Sequence, residues 1–513
     1  MKTNKNGIID LHDDAMLNPL TGTDSYKQTH FLQEDETITG INSYYESRKG
    51  AKYPETVFFG LQYIMAKHLA GQQITKHWID RTIRINNGHF GTDDYTNREM
   101  FEYILHKHGG RYPVKIRAVA EGTPVPVNNA LFTIEATDSN CISLPQLLET
   151  PLMRTWYPSA VATKSRHIKK VIWKYLEMSC MEPEKAIMFM LQDFGARGTT
   201  DDTASGLGGA AHLINFFGTD TMRGMDLLHD YYFGGDVSGY SVFATEHSTM
   251  TKNGEKGERE LIEKILKGKI TYKGREINLK KSIVSIVSDS YNYKRCVEQY
   301  YCQDFKHLIL EREAPTVIRP DSLTDTEKTP EAVVLWTLDT LWKYFGGTTN
   351  KKGCRIIANG IVKVLWGDGI DDDGIEAICK TVVENGYSLE NIACFGMGGG
   401  LLQKVNRDTQ RTAIKCSAAA RGDFHQDNSW FDVKKNPLDQ SKASKGGRLE
   451  LIKHLNDDSW ATIKREEYNP ALHKMMFHDV FEDGYILKAW ELSDLRENAK
   501  LVFPPRMVSN LIV

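Results

Sequence analysis

Residues 392–404 read IACFGMGGGLLQK, and this stretch decides the fold. A short apolar run ends at a cluster of glycines, which leads directly into a helix-like segment. Apolar runs of this length bounded by glycine are typical of buried strands in a parallel sheet. Glycines at such a strand end let the backbone approach a ligand, and the N-terminus of the following helix offers free N–H groups that suit a phosphate. The stretch therefore predicts a βα unit with a phosphate-binding turn.

The same pattern recurs from about residue 185 onward. Each apolar or β-branched run ends in polar or glycine residues and is followed by a helix-like stretch, which indicates alternating strands and helices. The predicted strands are AIMFML (186–191), HLINFF (212–217), YSVFA (240–244), SIVSIV (282–287), TVI (316–318), VKVLW (362–366), IACF (392–395) and AIKCSAA (413–419). We expect parallel strands that close into an irregular α/β barrel.

The segments outside this series differ from it. Residues 56–69 and 163–178 have the periodicity of amphipathic helices, whereas residues 115–138 alternate as a β-meander does. We predict that residues 1–150 and 411–513 form a second, discontinuous α+β domain, and that residues 151–410 form the barrel domain. Residues 267–282, KGKITYKGREINLKKS, predict a surface hairpin inserted before a barrel strand.

Length and charge narrow the class of protein. A chain of 513 residues is too long for one ordinary core, so two domains or a barrel with additions are expected. The 64 basic and 67 acidic residues nearly cancel, which favours neither a nucleic-acid partner nor an anionic membrane. The first residues, MKTNKNGIIDLHDD, have no apolar signal-peptide core, and no apolar stretch is long enough to span a bilayer. We expect a cytoplasmic protein.

The eight cysteines form no C-x-x-C pair and no His/Cys cluster at metal-ligand spacing. Buried free thiols are therefore expected rather than disulfides or a zinc site.

Polar residues gather where the predicted strands end. In α/β barrels ligands bind at the carboxyl ends of the strands, because the following loops and helix N-termini converge there. Taken singly, such aspartates and glycines are commonly helix caps and turn formers, but their recurrence predicts one shared cavity. Besides the glycines, the strand-end residues are Asp193, Arg197, Asp220, Glu246, His247, Asp289, Arg319, Asp321 and Asp368.

Several of these residues have a specific chemical use. Asp368 in GDG is placed to accept hydrogen bonds from a sugar diol, and Arg319 in IRPDS suits a phosphate, with an Arg/Asp ion pair as the alternative. His247 is a candidate base, metal ligand or phosphoryl acceptor. Phe194 and Asp220 suit a flat heterocyclic ligand: the Phe194 ring would stack on it and the Asp220 carboxylate would orient it. Core packing is the alternative role for Phe194.

The glycine stretch itself is a weak signal, because it lacks the lysine and hydroxyl of a P-loop and a tight structural turn would look similar. Arg407 follows it by about two helical turns, and Lys415 lies in the next apolar run. These two cations favour the phosphate interpretation.

In their order along the chain, these motifs resemble the nicotinamide phosphoribosyltransferase family of type II phosphoribosyltransferases. The resemblance runs from about residue 18 to about residue 501 and includes TDSYKQTH, YYESR, ETVFFGLQYI, NNALFTIEATD, WYPSAVAT, DFGARG, NFFGTDT, GYSVFATEHST, VSDSY, IRPDS, GDG, FGMGGGLLQK, IKCS and SKGGRL. It implies a reaction of NAD salvage, in which nicotinamide and phosphoribosyl pyrophosphate give nicotinamide mononucleotide and pyrophosphate.

The resemblance implies a role for each matching position. Phe194 and Tyr26 of the partner subunit are expected to sandwich the nicotinamide ring, while Asp220 accepts from its amide. His247 matches the histidine that ATP phosphorylates. The positions around the ribose and phosphates correspond to Arg197, Arg319, Asp321, Gly367, Asp368, Gly398, Gly399 and Arg407. The basic residues that gather pyrophosphate from both sides of the dimer interface correspond to Arg48, Lys415 and Lys435.

The family also implies a homodimer, Mg²⁺, and ATP as an activating co-substrate. The pyridine nitrogen is unprotonated at neutral pH, so no general base is needed. Catalysis is expected from alignment of the ring and from stabilisation of the departing pyrophosphate. We take His247, Asp220, Arg319 and Asp321 as candidate catalytic residues. Asp289 is a candidate supporting or metal-water carboxylate, with a helix cap as the alternative.

The sequence departs from the family pattern at four positions. Met397 stands where the family has serine, Leu323 where it has glycine, Phe243 where it has proline, and Ala413 where it has a hydroxyl residue. These changes alter the expected tunnel walls and one phosphate contact. The insertion at 267–282 and the residues before Asn18 have no counterpart in the family pattern.

Three other functions compete with this interpretation. A nicotinate or quinolinate phosphoribosyltransferase would need basic residues where Asp220 stands. A metal-dependent barrel hydrolase would need several clustered histidine or carboxylate ligands. A nucleotide-binding protein without catalysis would not need the combination of His247, Arg319 and Asp220.

Overall fold

The computed structural model describes residues 18–435, 438 and 443–501, and the backbone of residues 2–3 and 9–10. Strands and helices are numbered along the described chain. The strands are β1 (Lys2–Thr3), β2 (Ile9–Asp10), β3 (Ile38–Ser47), β4 (Glu55–Val57), β5 (Val114–Val119), β6 (Pro124–Pro126), β7 (Ala130–Ala136), β8 (Leu191–Asp193), β9 (Gly218–Thr219), β10 (Phe243–Ala244), β11 (Lys269–Tyr272), β12 (Arg275–Asn278), β13 (Val284–Val287), β14 (Thr316–Arg319), β15 (Gly347–Thr349), β16 (Arg355–Ile357), β17 (Val362–Trp366), β18 (Ile392–Met397), β19 (Thr412–Arg421), β20 (Trp430–Asp432), β21 (Leu449–His454), β22 (Trp460–Lys464), β23 (His473–Met475), β24 (Phe477–Glu482) and β25 (Tyr485–Ile486).

The helices alternate with the strands through the middle of the chain. They are α1 (Leu61–His68), α2 (Lys76–Phe90), α3 (Arg98–Lys107), α4 (Leu144–Leu147), α5 (Glu149–Met153), α6 (Trp156–Ser179), α7 (Pro183–Ala186), α8 (Asp202–Leu213), α9 (Met222–Tyr232), α10 (His247–Thr251), α11 (Gly254–Leu266), α12 (Tyr293–Arg295), α13 (Lys306–Leu310), α14 (Pro330–Phe345), α15 (Asp372–Glu384), α16 (Gly399–Leu402) and α17 (Leu492–Asn498). A 3₁₀ helix, Ser25–Gln33, precedes β3, and a π helix, Cys296–Asp304, continues α12.

Seven parallel strands form the barrel, in the spatial order β10-β13-β14-β17-β18-β8-β9. If the last strand is placed beside the first, this spatial order is the order of the strands along the chain, from β8 to β18. A parallel bridge between Gly218 of β9 and Tyr240, three residues before β10, joins the two edges. The N–H of Thr219 donates to the carbonyl of Tyr240 at 2.9 Å, so the ring is completed by irregular backbone. The predicted irregular α/β barrel is confirmed.

Three of the predicted strands were wrong in place or partner. Residues 186–189 are helical and only Leu191–Asp193 form a strand, while residues 212–213 end α8 and the strand begins at Gly218. Short apolar runs do not distinguish a buried strand from a buried helix. Residues 413–419 lie in β19, which pairs antiparallel with β3 and belongs to the second sheet.

The second sheet combines both ends of the chain. Its order is β20-β19-β3-β7-β5-β24-β25, and β3, β5 and β7 pair antiparallel as the predicted meander requires. Residues 56–69 were expected to be one helix, but only Leu61–His68 are helical and Glu55–Val57 pair with β6. The fold class, a barrel with a discontinuous α+β unit, is confirmed, whereas the boundaries at 150/151 and 410/411 stay a prediction.

Helix α6 connects the two units. It is 24 residues long and packs against the barrel helices α8 and α15 and against β4. The hydroxyl of Ser159 donates to the carbonyl of Phe59 at 3.0 Å, and the hydroxyl of Thr163 accepts from the N–H of Val57 at 2.9 Å. These bonds satisfy backbone groups at the end of β4 that would otherwise be buried without partners.

The insertion forms the predicted hairpin. Strand β11 pairs with β12 from Lys269 opposite Asn278 to Tyr272 opposite Arg275. Lys273 and Gly274 make the two-residue turn with φ of 48° and 80°, as the right-handed twist of a hairpin favours. All eight cysteines are free thiols, as predicted. Among the described helices, none has the length and hydrophobicity to cross a bilayer.

Candidate functional site

The barrel encloses a cavity of about 340 Å³ whose walls come from nearly every strand. Its lining is mostly apolar, with polar groups where Asp220, Gln192, Ser241 and Arg319 reach it. Such a chamber suits a flat, largely apolar ligand that is oriented by a few polar contacts. The lining residues are Phe189, Gln192, Phe194, Asp220, Tyr240, Ser241, Val242, Ala244, Ile283, Ser285, Val317, Arg319, Leu365, Ala393 and Cys394.

Asp220 directly follows β9 and presents its carboxylate to this cavity. The side-chain amide of Gln192 donates to Asp220 Oδ1 at 3.1 Å, and the hydroxyl of Ser241 donates to the same oxygen at 2.5 Å. Among the described residues, none donates to Asp220 Oδ2. The carboxylate is thus anchored through one oxygen and leaves the other for a ligand.

Phe194 follows β8 and forms part of the same wall. Its N–H donates to the carbonyl of Met397 at 3.0 Å, and its ring lies against the backbone of Gly396. A Cβ at Gly396 would lie 2.1 Å from Phe194 Cε2, and one at Gly367 would lie 3.5 Å from the same atom. Glycine at these two strand ends therefore makes room for the ring.

His247 begins α10 and contacts carboxylates from two neighbouring strand ends. Its Nε2 lies 3.0 Å from Asp289 Oδ1, and its Nδ1 lies 4.0 Å from Asp321 Oδ2. The Asp289 side chain is only 5% exposed, and its Oδ2 accepts from the hydroxyl of Ser322. Because Asp289 can only accept when ionised, Nε2 is assigned as the protonated nitrogen. The Nδ1 lone pair is then free.

Arg319 and Asp321 flank Pro320 after β14. Arg319 Nε lies 3.7 Å from Asp321 Oδ1, which is an ion pair without a close hydrogen bond. Burial raises the pKa of the Asp321 carboxyl, while the charge of Arg319 acts against that rise. A Cβ at Gly367 would lie 3.6 Å from Asp321 Oδ1, so this carboxylate and the Phe194 ring both border Gly367.

The glycine turn after β18 leads into a helix of a single turn. Gly398 precedes α16, which has only four residues. A Cβ at Gly400 would lie 2.5 Å from the carbonyl oxygen of Ile370, and one at Gly398 would lie 3.4 Å from the carbonyl oxygen of Phe194. The turn therefore packs closely against the neighbouring loops that carry Asp368 and Phe194.

A basic cluster, Arg48, Arg407, Lys415 and Lys435, forms on the side of β19. Burial lowers the pKa of Lys415; the nearby charge of Glu149 raises it, and those of Arg48, Lys435 and Arg407 lower it further. The Nε of Arg48 donates to the carbonyl of Arg411 at 3.1 Å, which directs this side chain along β19. The structure thus brings together four of the predicted cations.

The carboxyl ends of the barrel strands, here called the barrel mouth, do not receive Tyr26 from their own chain. Tyr26 lies on the 3₁₀ helix before β3, is 58% exposed, and contacts His30 and Lys27. Among the described residues of the same chain, no barrel-mouth side chain stacks on it or bonds to it. Arg197 lies on an exposed 3₁₀ turn, Ala196–Gly198, after Phe194.

Two strand-end acids have structural roles instead of facing the cavity. Asp193 is fully buried and accepts from the N–H of Gly195 at 2.7 Å, and burial raises its pKa to about 6. Glu246 caps α10 in a capping box with Thr249. The structure therefore does not place all strand-end carboxylates in one cavity. Asp193 and Glu246 are used by local backbone, and Asp220 is the carboxylate that lines the cavity of about 340 Å³. The other predicted strand-end carboxylates, Asp289, Asp321 and Asp368, are not among its lining residues.

Sequence reasoning missed three polar residues of the site: Gln192, Ser241 and Ser322. Gln192 precedes Phe194 by two residues, and Ser241 lies beside the bridge at Tyr240. Their positions at strand ends were available from the sequence. Their hydrogen bonds to Asp220 and Asp289 were not, because these depend on which strands become neighbours.

The four departures from the family pattern lie in different surroundings. Met397 is fully buried in β18, and Ala413 is 6% exposed in β19. Leu323 and Phe243 are 48% and 39% exposed. None of the four donates a side-chain hydrogen bond, so the turn at Gly398 lacks a side-chain hydroxyl at position 397.

Among the described residues, three potential metal-ligand atoms come together in one place. They belong to His108, Asp138 and Cys141 of the second unit. His108 Nε2 lies 2.9 Å from Asp138 Oδ2, and the hydroxyl of Tyr103 donates to that oxygen at 3.0 Å. In the part of the chain that the structure describes, the barrel strand ends do not bring three such ligand atoms together.

Two family profiles match this chain. The profile of the Nicotinate phosphoribosyltransferase (NAPRTase) family matches residues 189–484, which contain the whole barrel. The profile described as Nicotinamide phosphoribosyltransferase, N-terminal domain, matches residues 18–116.

Two curated relatives and two solved structures extend this finding. Nicotinamide phosphoribosyltransferase of Xanthomonas campestris is 37% identical over 94% of this chain and 98% of its own, and that of Acinetobacter baylyi is 26% identical over 94% and 97%. A nicotinate-nucleotide pyrophosphorylase from Pyrococcus furiosus superposes with a TM-score of 0.58, covering 96% and 97% of the two chains at 14% identity. Human nicotinic acid phosphoribosyltransferase superposes with a TM-score of 0.53, covering 93% and 92%, also at 14% identity, so both structures support the fold alone. The chain therefore belongs to the nicotinate phosphoribosyltransferase family and groups there with nicotinamide phosphoribosyltransferases.

Proposed function

We propose that this enzyme joins nicotinamide to phosphoribosyl pyrophosphate and releases nicotinamide mononucleotide and pyrophosphate. The observation that carries the proposal is the carboxylate of Asp220 at the wall of the barrel cavity, with one oxygen anchored and the other free. Phe194 supplies an aromatic surface in the same cavity. The two curated relatives named for this reaction support it.

Asp220 favours the amide over the acid. The free oxygen can accept from the amide N–H₂ of nicotinamide, whereas the carboxylate of nicotinic acid would meet a like charge in a partly desolvated chamber. Nicotinic acid is the competing substrate, because the family profile carries the name of the nicotinate enzyme. The charge at Asp220 is the reason for preferring nicotinamide.

The sugar and phosphates would lie at the mouth of the cavity. Asp321 and Asp368 are proposed to bind the ribose hydroxyls beside Gly367. The backbone of Gly398 and Gly399 is proposed to bind the 5′-phosphate together with the side chain of Arg407. Asp321 and the Phe194 ring both border Gly367. A ring held against Phe194 would therefore sit within reach of a ribose held by Asp321.

The chemical step needs alignment more than proton transfer. The lone pair of the pyridine nitrogen forms a bond to ribose C1 while the bond from C1 to the pyrophosphate oxygen breaks, and the electron pair leaves with pyrophosphate. Arg319, Arg197 and the basic cluster are proposed to stabilise the charge that develops on the leaving group. Phe194 and Asp220 hold the nitrogen in line with C1.

Magnesium fits this mouth as a partner of the substrate. Mg²⁺ is usually held by one or two carboxylates together with substrate phosphates and water, rather than by a protein cage. Asp289 and Asp321 are the carboxylates in position to contribute, either directly or through water. The ion would neutralise phosphate charge.

ATP coupling is proposed to act through His247. Its Nδ1 would attack the γ-phosphorus of ATP, forming the N–P bond as the bond to ADP breaks, while Asp289 stabilises the proton on Nε2. The 3.0 Å contact to Asp289 and the exposed position of the ring support this role. Hydrolysis of the phosphohistidine by water would return the enzyme to its starting state.

We further propose a cytoplasmic homodimer in which Tyr26 of the partner subunit completes each site, and in which Arg48, Lys415 and Lys435 gather pyrophosphate from both sides of the subunit interface. The exposure of Tyr26 and the like-charged cluster around Lys415 support this arrangement. A cluster of four cations is stabilised when it meets an anionic ligand.

The reaction is tested by incubating the enzyme with nicotinamide, phosphoribosyl pyrophosphate and Mg²⁺, with and without ATP. Mononucleotide and pyrophosphate should appear in equal amounts, faster when ATP is present. Absence of the mononucleotide under both conditions would reject the proposal.

A further inference from the structure

We propose that Gln192 is a specificity-determining residue of the nicotinamide pocket: together with Ser241 it holds Asp220 so that one carboxylate oxygen is reserved for the substrate's amide. This inference rests on the proposed function. It gives Gln192, whose side chain contacts Asp220, a part in the discrimination between nicotinamide and nicotinic acid.

The position of Gln192 is set on three sides. Its Nε2 donates to Asp220 Oδ1 at 3.1 Å and lies 3.4 Å from the carbonyl oxygen of Tyr240. Its Oε1 faces the backbone of Gly218, where an added Cβ would lie only 2.2 Å away. Glycine at position 218 therefore leaves space for this amide.

The orientation of the amide follows from charge. If the amide were turned round, its oxygen would face both the Asp220 carboxylate and the carbonyl of Tyr240, which are acceptors and repel it. Nε2 must therefore point to Asp220. Gln192 donates to the acid and cannot compete with a ligand for the role of acceptor.

Both protein donors use the same oxygen. Gln192 and Ser241 donate to Oδ1 of Asp220. Gln192 lies on β8, which pairs with β9, and Ser241 directly follows Tyr240, which bridges to Gly218 of β9. Two donors on one oxygen fix the plane of the carboxylate. Oδ2 is then held toward the cavity as an acceptor, which an amide N–H can satisfy and a carboxylate cannot.

The test compares Gln192→Met with the wild type. Methionine keeps the length of the side chain but removes the donor. We expect the KM for nicotinamide to rise about tenfold, the size of a lost bond to a charged group, with little change in kcat. Ser241→Ala, which removes the second donor, should act in the same direction and serves if Gln192→Met does not fold. Gln303→Met, at an exposed glutamine on the π helix, is the matched control and should leave KM unchanged.

A structural effect is separated from a specificity effect by two further measurements. The ratio of kcat/KM for nicotinamide to that for nicotinic acid should fall in Gln192→Met, because only the amide uses the oriented oxygen. In an Asp220→Asn background the same substitution should have little further effect. If the wild type makes the mononucleotide but folded Gln192→Met keeps its KM and this ratio, the inference is wrong and the proposed function stands. A wild type without nicotinamide activity rejects the proposed function itself.

Discussion

Single side chains at the barrel mouth owe their orientation to partners on neighbouring strands. Asp220 is held by Gln192 and Ser241, and His247 by Asp289, whose other oxygen accepts from Ser322. An ionisable group positioned in this way loses little entropy when a ligand binds. The contacts also explain why the site contains more polar residues than those that would touch substrate.

Asp220 gives the first prediction. Asp220→Ala should lower kcat/KM for nicotinamide about 10- to 100-fold, because it removes an acceptor for the amide. Steady-state kinetics with nicotinamide varied at saturating phosphoribosyl pyrophosphate measure this. Asp236→Ala, at an exposed aspartate in the loop after α9, is the control. An unchanged specificity constant in Asp220→Ala would refute the role of this carboxylate.

His247 gives the second prediction. His247→Ala should abolish the stimulation by ATP and leave slow basal synthesis, because the phosphoryl acceptor is lost while the ring and ribose contacts remain. Rates with and without ATP, and acid-labile phosphate on the protein, are the measurements. His89→Ala, at an exposed histidine near the end of α2, should keep the stimulation. If His247→Ala is still stimulated by ATP, another residue accepts the phosphoryl group.

The sequence predicted residue types and chain positions better than contacts. Asp220, His247 and Arg319 could be chosen because each follows an apolar run and carries chemistry. Asp193 and Glu246 have the same signature but are bonded to local backbone. Only the three-dimensional arrangement separates these cases, since a strand-end aspartate suits a cap and a ligand equally well.

Among the secondary-structure elements, β18 packs directly against the aromatic wall of the cavity. Its residue Gly396 lies against the ring of Phe194, with no space for a Cβ. Gly396→Ala should displace the ring and raise the KM for nicotinamide about three- to tenfold, the value of an aromatic contact. Kinetics and thermal unfolding of this variant are compared with Gly88→Ala, where an added Cβ meets open space on α2. Equal KM values in the two variants would mean that Phe194 does not position the substrate.

The junction of α6 and α15 has a buried ion-pair network. Asp372 lies 3.1 Å from Nζ of Lys164, whose side chain is 3% exposed, and accepts from the hydroxyl of Tyr53 at 2.6 Å. Asp372→Ala should lower the free energy of unfolding by about 3–5 kcal/mol, because Lys164 is left buried without its partner. Urea denaturation measures this.

The control for the junction is an exposed pair on the same helix. Glu384→Ala removes an ion pair with Lys380 in which both side chains are well exposed, and should cost less than about 1 kcal/mol. Similar losses in Glu384→Ala and Asp372→Ala would contradict the assigned difference in burial.

Strand runs with clear ends were predictable, and ambiguous apolar runs were not. Residues 362–366 form the predicted strand, and the hairpin at 269–278 follows its alternation and its Lys273–Gly274 turn. Residues 186–189 are equally apolar but helical, since Pro183 begins α7 just before them. The pairing partner of β19 depends on β3, more than 350 residues earlier in the chain, and could not be read from local pattern.

At the scale of the whole molecule, the residues proposed for the site are divided between two units. The barrel carries Phe194, Asp220 and His247, while the second unit carries Tyr26 and most of the basic cluster. A homodimer in which each barrel faces the second unit of its partner would bring them together. The family resemblance implied that Tyr26 meets Phe194 across a subunit interface, whereas local sequence pattern alone gave no distance between the two sets of residues.

Subunit mixing tests this arrangement. Phe194→Ala and Tyr26→Ala should each be weakly active, but mixed and re-equilibrated subunits should recover about a quarter of wild-type activity, because half of the dimers are hybrid and each hybrid has one intact site. Mixing Phe194→Ala with Asp220→Ala should recover nothing, since both changes damage the barrel. If the first mixture is no more active than its components, Tyr26 and Phe194 do not act across subunits.

The most direct measurement of the central claim is a competition between nicotinamide and nicotinic acid at equal concentration, with limiting phosphoribosyl pyrophosphate, Mg²⁺ and ATP. Mass spectrometry of the products should find the mononucleotide of the amide in large excess over that of the acid, because the free oxygen of Asp220 accepts from one and repels the other. Equal products, or an excess of the acid mononucleotide, would contradict the account.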